Sequence, residues 1–216
     1  MDEGRIRQET LRYLGYGRKQ PDGQVEALLN DCREELEQAL ACRYVKRECS
    51  LEFVGENGIR TELFSAESKN LRKNLRDCQS VLVFAATIGL GADQLIRRYE
   101  KFRVSRAVVI QAMAAAMIEE YCDCLNREWK KEYRDGGRYL RPRFSPGYGD
   151  FPLECQRGII DGLEAGKRIG LTLTDSLIMM PSKSVTAVIG ISSVPAGCVL
   201  EGCEACSKTD CEYRRN

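Results

Sequence analysis

Residues 104 to 133 constrain the fold most. Ile110, Ala114, Met117, Tyr121, Leu125 and Trp129 recur there at three- and four-residue steps, which is the period of one helical face. Ala112 and Ala114 to Ala116 leave little side-chain bulk at mid-length, so this longest helix is expected to pack closely on something flat, such as a sheet. Strand signals surround it. Cys49, Leu51 and Phe53 alternate, "GENG" turns, and Ile59, Thr61 and Leu63 alternate again, predicting a hairpin over 48 to 64. "VLVFAA" at 81 to 86 is a continuous apolar run that predicts a buried strand, and "TIGLGAD" breaks it before a helix carrying Leu95, Ile96 and Tyr99. "LTLTDSLIMM" and "SVTAVIGI" read as two strands joined at Pro181-Ser182-Lys183. Further helices are expected over 22 to 42, after a cap at Ser65, and over about 153 to 168.

The elements do not alternate as strict βαβ units, so the expected class is α+β, a mostly antiparallel twisted sheet flanked by helices. Residues 1 to 79 are expected to belong to the same domain as a core over 80 to 193. A cysteine-rich tail over 194 to 216 follows.

Composition narrows the chemistry. The chain has 216 residues, 33 basic and 32 acidic, and a formal charge of +1. Such a balance points to neither nucleic acid nor an anionic membrane. No apolar run reaches spanning length and the start is not a signal peptide, so a cytoplasmic protein is expected. There are eleven cysteines and no histidine. Histidine-dependent triads and histidine-ligated zinc or haem are therefore excluded. Chemistry must come from Cys, carboxylates, Tyr, Arg or Lys, or from a bound cofactor.

The segment "RFSPGYGDFP", residues 143 to 152, combines Pro146, Gly147, Gly149 and Pro152 with Arg143, Phe144, Tyr148 and Phe151. Proline and glycine fix the path of such a loop and expose backbone amides and carbonyls. Arg143 can hold a carboxylate bidentately, and Tyr148 can stack on a base or cap a sulfonium. The competing reading is a surface loop whose aromatic rings cover a sheet edge.

This segment resembles the Arg-Pro-x-Pro-Gly-Tyr-Pro-x-x-Pro stretch of the activation domain of cobalamin-dependent methionine synthase. "LVFAATIGLGADQL" and "GLTLTDSLIMMPSKSVTA" are similar to two further segments of that domain, in the same order, and the likeness covers about residues 80 to 193. The resemblance implies a domain that binds S-adenosylmethionine (AdoMet) and docks over a cobalamin module whose cobalt has become oxidised. An electron from flavodoxin and a methyl group from AdoMet then restore methylcobalamin.

Carried over by position, Arg143 would meet the AdoMet carboxylate and Tyr148 falls on the family's tyrosine, with Ser145, Pro146 and Gly147 as the turn between them. The family's long helix directs a glutamate at the AdoMet ammonium. Ala115 falls at that position, with Glu119 one turn later on the same face. Phe144 and Gly149 stand where the family has prolines, and residues 1 to 79 offer no match for a family aspartate. The family's cobalamin module ligates cobalt through a histidine, which this sequence lacks. The resemblance therefore implies a free-standing activation subunit, with cobalamin held by a corrinoid-binding methionine synthase or related methyltransferase as partner.

Cys198, Cys203, Cys206 and Cys211 are spaced C-x4-C-x2-C-x4-C. Four thiolates so close can ligate zinc or a [4Fe–4S] cluster; otherwise the tail is simply reduced. The other seven cysteines are expected to fill the core. A metal- or Fe–S-binding redox or sensor protein on the same fold is the alternative function, and a module that only clamps its partner is the third.

Overall fold

The computed structural model describes residues 1–17 and 19–195. In chain order the elements are α1 (Glu3–Tyr13), α2 (Gly23–Ala39), β1 (Arg43–Ser50), β2 (Glu52–Val54), β3 (Gly58–Arg60), β4 (Ser65–Glu67), α3 (Lys69–Asn74), β5 (Cys78–Thr87), α4 (Gly91–Tyr99), α5 (Val104–Asp135), β6 (Tyr139–Leu140), α6 (Cys155–Gly162), α7 (Ala165–Ile169), β7 (Thr172–Leu173), β8 (Met179–Met180) and β9 (Ser184–Ser192). A four-stranded sheet runs in the order β1-β5-β9-β6, and smaller sheets join β2-β3-β4 and β7-β8. β2–β3, β3–β4, β6–β9 and β7–β8 pair antiparallel. This is the mixed fold of helices and antiparallel sheet that the sequence pattern predicts. The longest helix is α5, with 32 residues. Among the described residues, no helix is long and apolar enough to cross a membrane.

The chain divides into two units. The first takes Met1–Tyr44, Ala86–Leu125 and Gly166–Val185. Its first two helices start where the sequence supplies acceptors: the Asp2 carboxylate receives the Arg5 N–H at α1, and the Asp22 carboxylate receives those of Gln24 and Val25 at α2. Leu29, Cys32 and Leu36 form the buried stripe of α2. The glycines of "TIGLG" answer a close approach. A Cβ on Gly91 would sit 2.1 Å from the Ala39 carbonyl oxygen, and Gly89 has φ 88° with Ala41 beside it. Ala41 donates to the Ile88 carbonyl and Ile88 to that of Lys183, at 2.9 and 3.1 Å. The Asp93 carboxylate accepts both the amide, at 2.8 Å, and the hydroxyl of Ser182, which fixes the "PSKS" segment.

The expected strand over "LTLTDSLIMM" is instead the short β7–β8 hairpin. The Thr174 hydroxyl accepts the Ile178 N–H, Leu177 donates to the Thr174 carbonyl, and Leu177 takes φ 61°. A side-chain acceptor thus competes successfully with ladder bonding.

The second unit takes Val45–Ala85, Asn126–Ala165 and the described residues from Thr186. Val81 to Ala85 on β5 and Ala187 to Ile189 on β9 are buried on both faces of the sheet, which is why both strands are apolar without alternation. The Phe84 and Trp129 rings meet edge-on at 5.1 Å. The predicted hairpin exists as β2–β3, with Phe53 opposite Ile59. Its first arm was expected to begin earlier, but Arg43–Ser50 is the separate strand β1 of the larger sheet. The expected cap at Ser65 is corrected as well. Ser65 lies in β4, and Ser68 caps α3 by accepting the Leu71 N–H. The helix expected over 153 to 168 is split into α6 and α7 near Glu164, which takes φ 52°. Gly158 and Gly162 let α6 lie against Leu63, where a Cβ would come within 2.3 Å and 2.4 Å of it.

Candidate functional site

After β6 the chain stays on the edge of β9. Arg141 donates to the Gly190 carbonyl at 2.8 Å, and Phe144 and Val188 exchange both backbone hydrogen bonds, at 2.8 and 2.9 Å. It then leaves the sheet as a knot of short turns. The Tyr148 N–H donates to the Ser145 carbonyl at 3.1 Å, Gly147 to Phe151 at 2.8 Å, and Phe151 to Tyr148 at 3.0 Å. Gly147 and Gly149 take φ 86° and 56°. Proline could not occupy that conformation at 149, so the loop follows a path closed to the proline of the resembling motif.

The aromatic residues divide the work. Phe151 is buried, with the Phe64 and Phe144 rings 5.4 and 6.3 Å from it, and Pro146 is buried too. Tyr148 meets the Phe144 ring edge-on at 6.3 Å yet remains 71% exposed. Two rings pin the loop from below while the third stands at its tip. The stiffness comes from cross-bonded turns and buried rings, and it presents one aromatic face to solvent.

A further fastening comes from Asp150. One carboxylate oxygen accepts the Ser68 hydroxyl at 2.5 Å and the Asn70 N–H at 3.1 Å, and the other accepts the Lys69 N–H at 2.8 Å. These donors hold its carboxyl below the usual carboxylate range, the Ser68 hydroxyl most of all. The loop is thereby tied to the first turn of α3, and Gly149 passes so near Asn70 that a Cβ there would sit 2.6 Å from its Nδ2. Sequence reasoning missed Asp150. Its partners are some eighty residues away, and the only hint was an acidic residue following a Gly-Tyr-Gly turn.

Arg143, Ser145, Pro146, Gly147 and Tyr148 are brought together in the second unit. Arg143 is half-buried just before the turn. Glu119, with Ala115 one turn before it, lies on α5 within the first unit, half-buried. Its neighbour Glu120 is buried and accepts the Asp2 N–H at 3.2 Å. Cys198, Cys203, Cys206 and Cys211 lie outside the described residues. Among the described residues, no group of three or more Cys, Asp or Glu is placed to hold a metal. Cys32, Cys49, Cys78, Cys122 and Cys155 are buried fillers as expected, but Cys124 is only half-buried and Cys42 is exposed. Burial pushes the Cys32 and Cys49 thiols up to about 11, which makes them poor nucleophiles.

The loop is thus fastened to a sheet edge and to the start of α3, and it lifts one tyrosine into solvent. Residues 70–195 match the family described as "Vitamin B12 dependent methionine synthase, activation domain". The chain belongs to that family. Its fold is similar to that in a crystal structure of the MetH reactivation domain bound to AdoHcy, with a TM-score of 0.64 and 18% sequence identity, over 86% of this chain and 74% of that one.

Proposed function

We propose that the protein is an AdoMet-binding activation component, which supports reductive methylation of the corrinoid of a cobalamin-dependent methionine synthase or related methyltransferase. The observation that carries this reading is that the matched region contains the loop at 143–152, with Tyr148 exposed at its tip and Arg143 just before the turn. The residues fit the ligand chemically. A guanidinium suits a carboxylate, an exposed aromatic face suits a sulfonium, and a rigid backbone turn supplies fixed polar groups.

In the proposed role Arg143 anchors the amino-acid end and Tyr148 screens the sulfonium. The turn of Ser145, Pro146 and Gly147 holds both in register while leaving the methyl side open to a partner. AdoMet supplies the methyl group, and the corrinoid carries the cobalt chemistry. These 216 residues contain no histidine, so a cobalt-ligating imidazole has to come from the corrinoid-binding partner. The electron is proposed to come from a flavodoxin-like donor.

Calorimetric titration of AdoMet tests the reading. Wild type should bind, and Arg143→Ala should lose a charge-assisted contact of roughly 1.5–3 kcal/mol, about tenfold or more in affinity. Unchanged affinity in the variant would remove Arg143 from the site. No binding at millimolar AdoMet would leave the protein a clamp for its partner or a metal- or Fe–S-binding sensor. The four tail cysteines enter the same proposal as a thiolate metal site beside an electron-transfer step. Zinc, iron and sulfide analysis of anaerobically purified protein tests that part separately.

A further inference from the structure

A concavity lies beside α3. It has a volume of about 470 Å³ and is lined by Phe53, Lys69, Arg72, Lys73, Arg76 and Asp77. The whole chain is nearly neutral, yet this lining holds four cations and one carboxylate. Lys69, Arg72, Lys73 and Arg76 follow at three- and four-residue steps, so α3 and the turn after it present them along one face.

Arg72 is already oriented. Its guanidinium lies 4.5 Å over the Phe53 ring and donates to the Gly58 carbonyl at 3.1 Å. Lys69, Lys73 and Arg76 are exposed, and among the described residues none of the four cations pairs with a carboxylate. The lining carboxylate, Asp77, stands 3.9 Å from Arg141 instead. Four like charges within eight residues repel one another, and a bound polyanion relieves that repulsion.

We propose that this cleft binds a phosphorylated aromatic small molecule of the nucleoside diphosphate type. The phosphates meet Lys69, Lys73 and Arg76, and the base lies against the Phe53 and Arg72 wall. Three features favour this occupant. The volume lies within the range of small-molecule sites. Exposed ammonium and guanidinium groups converge on it, as phosphate recognition requires. The aromatic wall has no use for a bare inorganic anion. The net positive charge of AdoMet is disfavoured by the same lining, and the lining shares no residue with the 143–148 loop.

Calorimetry on the full chain at low salt, with ADP, pyrophosphate and adenosine as probes, tests the assignment. ADP should bind most tightly, pyrophosphate more weakly and adenosine not measurably, with ADP affinity falling as salt is added. The double variant Lys73→Glu/Arg76→Glu changes only exposed side chains. It should keep the wild-type circular dichroism, lose ADP binding by about a hundredfold or more, and leave AdoMet titration unchanged. Phe53→Ala should weaken ADP while leaving pyrophosphate as it was. Absence of ADP binding at millimolar concentration, or wild-type ADP affinity in the double variant, overturns the site. Equal affinity for pyrophosphate and ADP overturns the nucleotide assignment, and displacement of ADP by AdoMet overturns the separation of the two sites.

Discussion

Asp150 holds three donors from Ser68, Lys69 and Asn70, so its removal leaves the Lys69 and Asn70 amides at the start of α3 without this acceptor and the loop untied, although Ser68 still accepts the Leu71 N–H. Asp150→Ala should destabilise the protein by about 0.5–2 kcal/mol, the usual range for a lost helix cap, seen as a lower urea midpoint. The pH dependence has a definite sign. The folded-state carboxyl is held low, so its contribution is complete above the unfolded value of about 3.9 and is lost as pH falls through the lower folded value. Wild type and variant should therefore differ in urea midpoint at neutral pH and converge in acid. A difference that persists to the lowest pH would assign the effect to packing rather than to the charge. Tyr148 makes the complementary case. It is 71% exposed, so Tyr148→Ala should leave stability within about 0.5 kcal/mol of wild type while weakening AdoMet in the same titration.

Among the elements, what was legible in the sequence follows burial. The apolar run on β5 declares a strand because both faces are covered, and α5 declares itself through a stripe repeated over many turns. Where local chemistry decides, the pattern misleads. Leu-Thr-Leu-Thr imitates alternation, yet the Thr174 hydroxyl takes the Ile178 amide and closes a turn. The sequence points to Ser65 as the cap, yet Ser68 takes that place and is held by Asp150 from a distant part of the chain. The loop itself was legible as stiff and aromatic, but the sequence did not show which rings turn inward.

Gly91 gives the test at this scale. Replacing a helical glycine with alanine ordinarily gains about 0.5–1 kcal/mol. Here the new Cβ would lie 2.1 Å from the Ala39 carbonyl oxygen, so Gly91→Ala should instead cost roughly 1–3 kcal/mol in chemical denaturation. A stabilised variant would show that α2 and α4 can separate freely.

For the molecule as a whole, β9, the last strand among the described residues, ends at Ser192, and Ser193 still donates to the Gln79 side chain at 3.1 Å. Truncation after Ser193 should therefore preserve cooperative thermal unfolding and AdoMet binding while removing any metal held by the tail cysteines. A truncated chain that unfolds would make the tail structural. Family membership rests on residues 70–195, so α1 and α2 lie outside the matched region, although the structural likeness extends over 86% of the chain. The Asp150 tie bears on the two proposed ligands together. The loop that carries Tyr148 grips one end of a six-residue helix whose flank forms the basic cleft. Any coupling between two occupants of so short a lever has to be reciprocal: by whatever factor one changes the other's dissociation constant, the second must change the first's by the same factor.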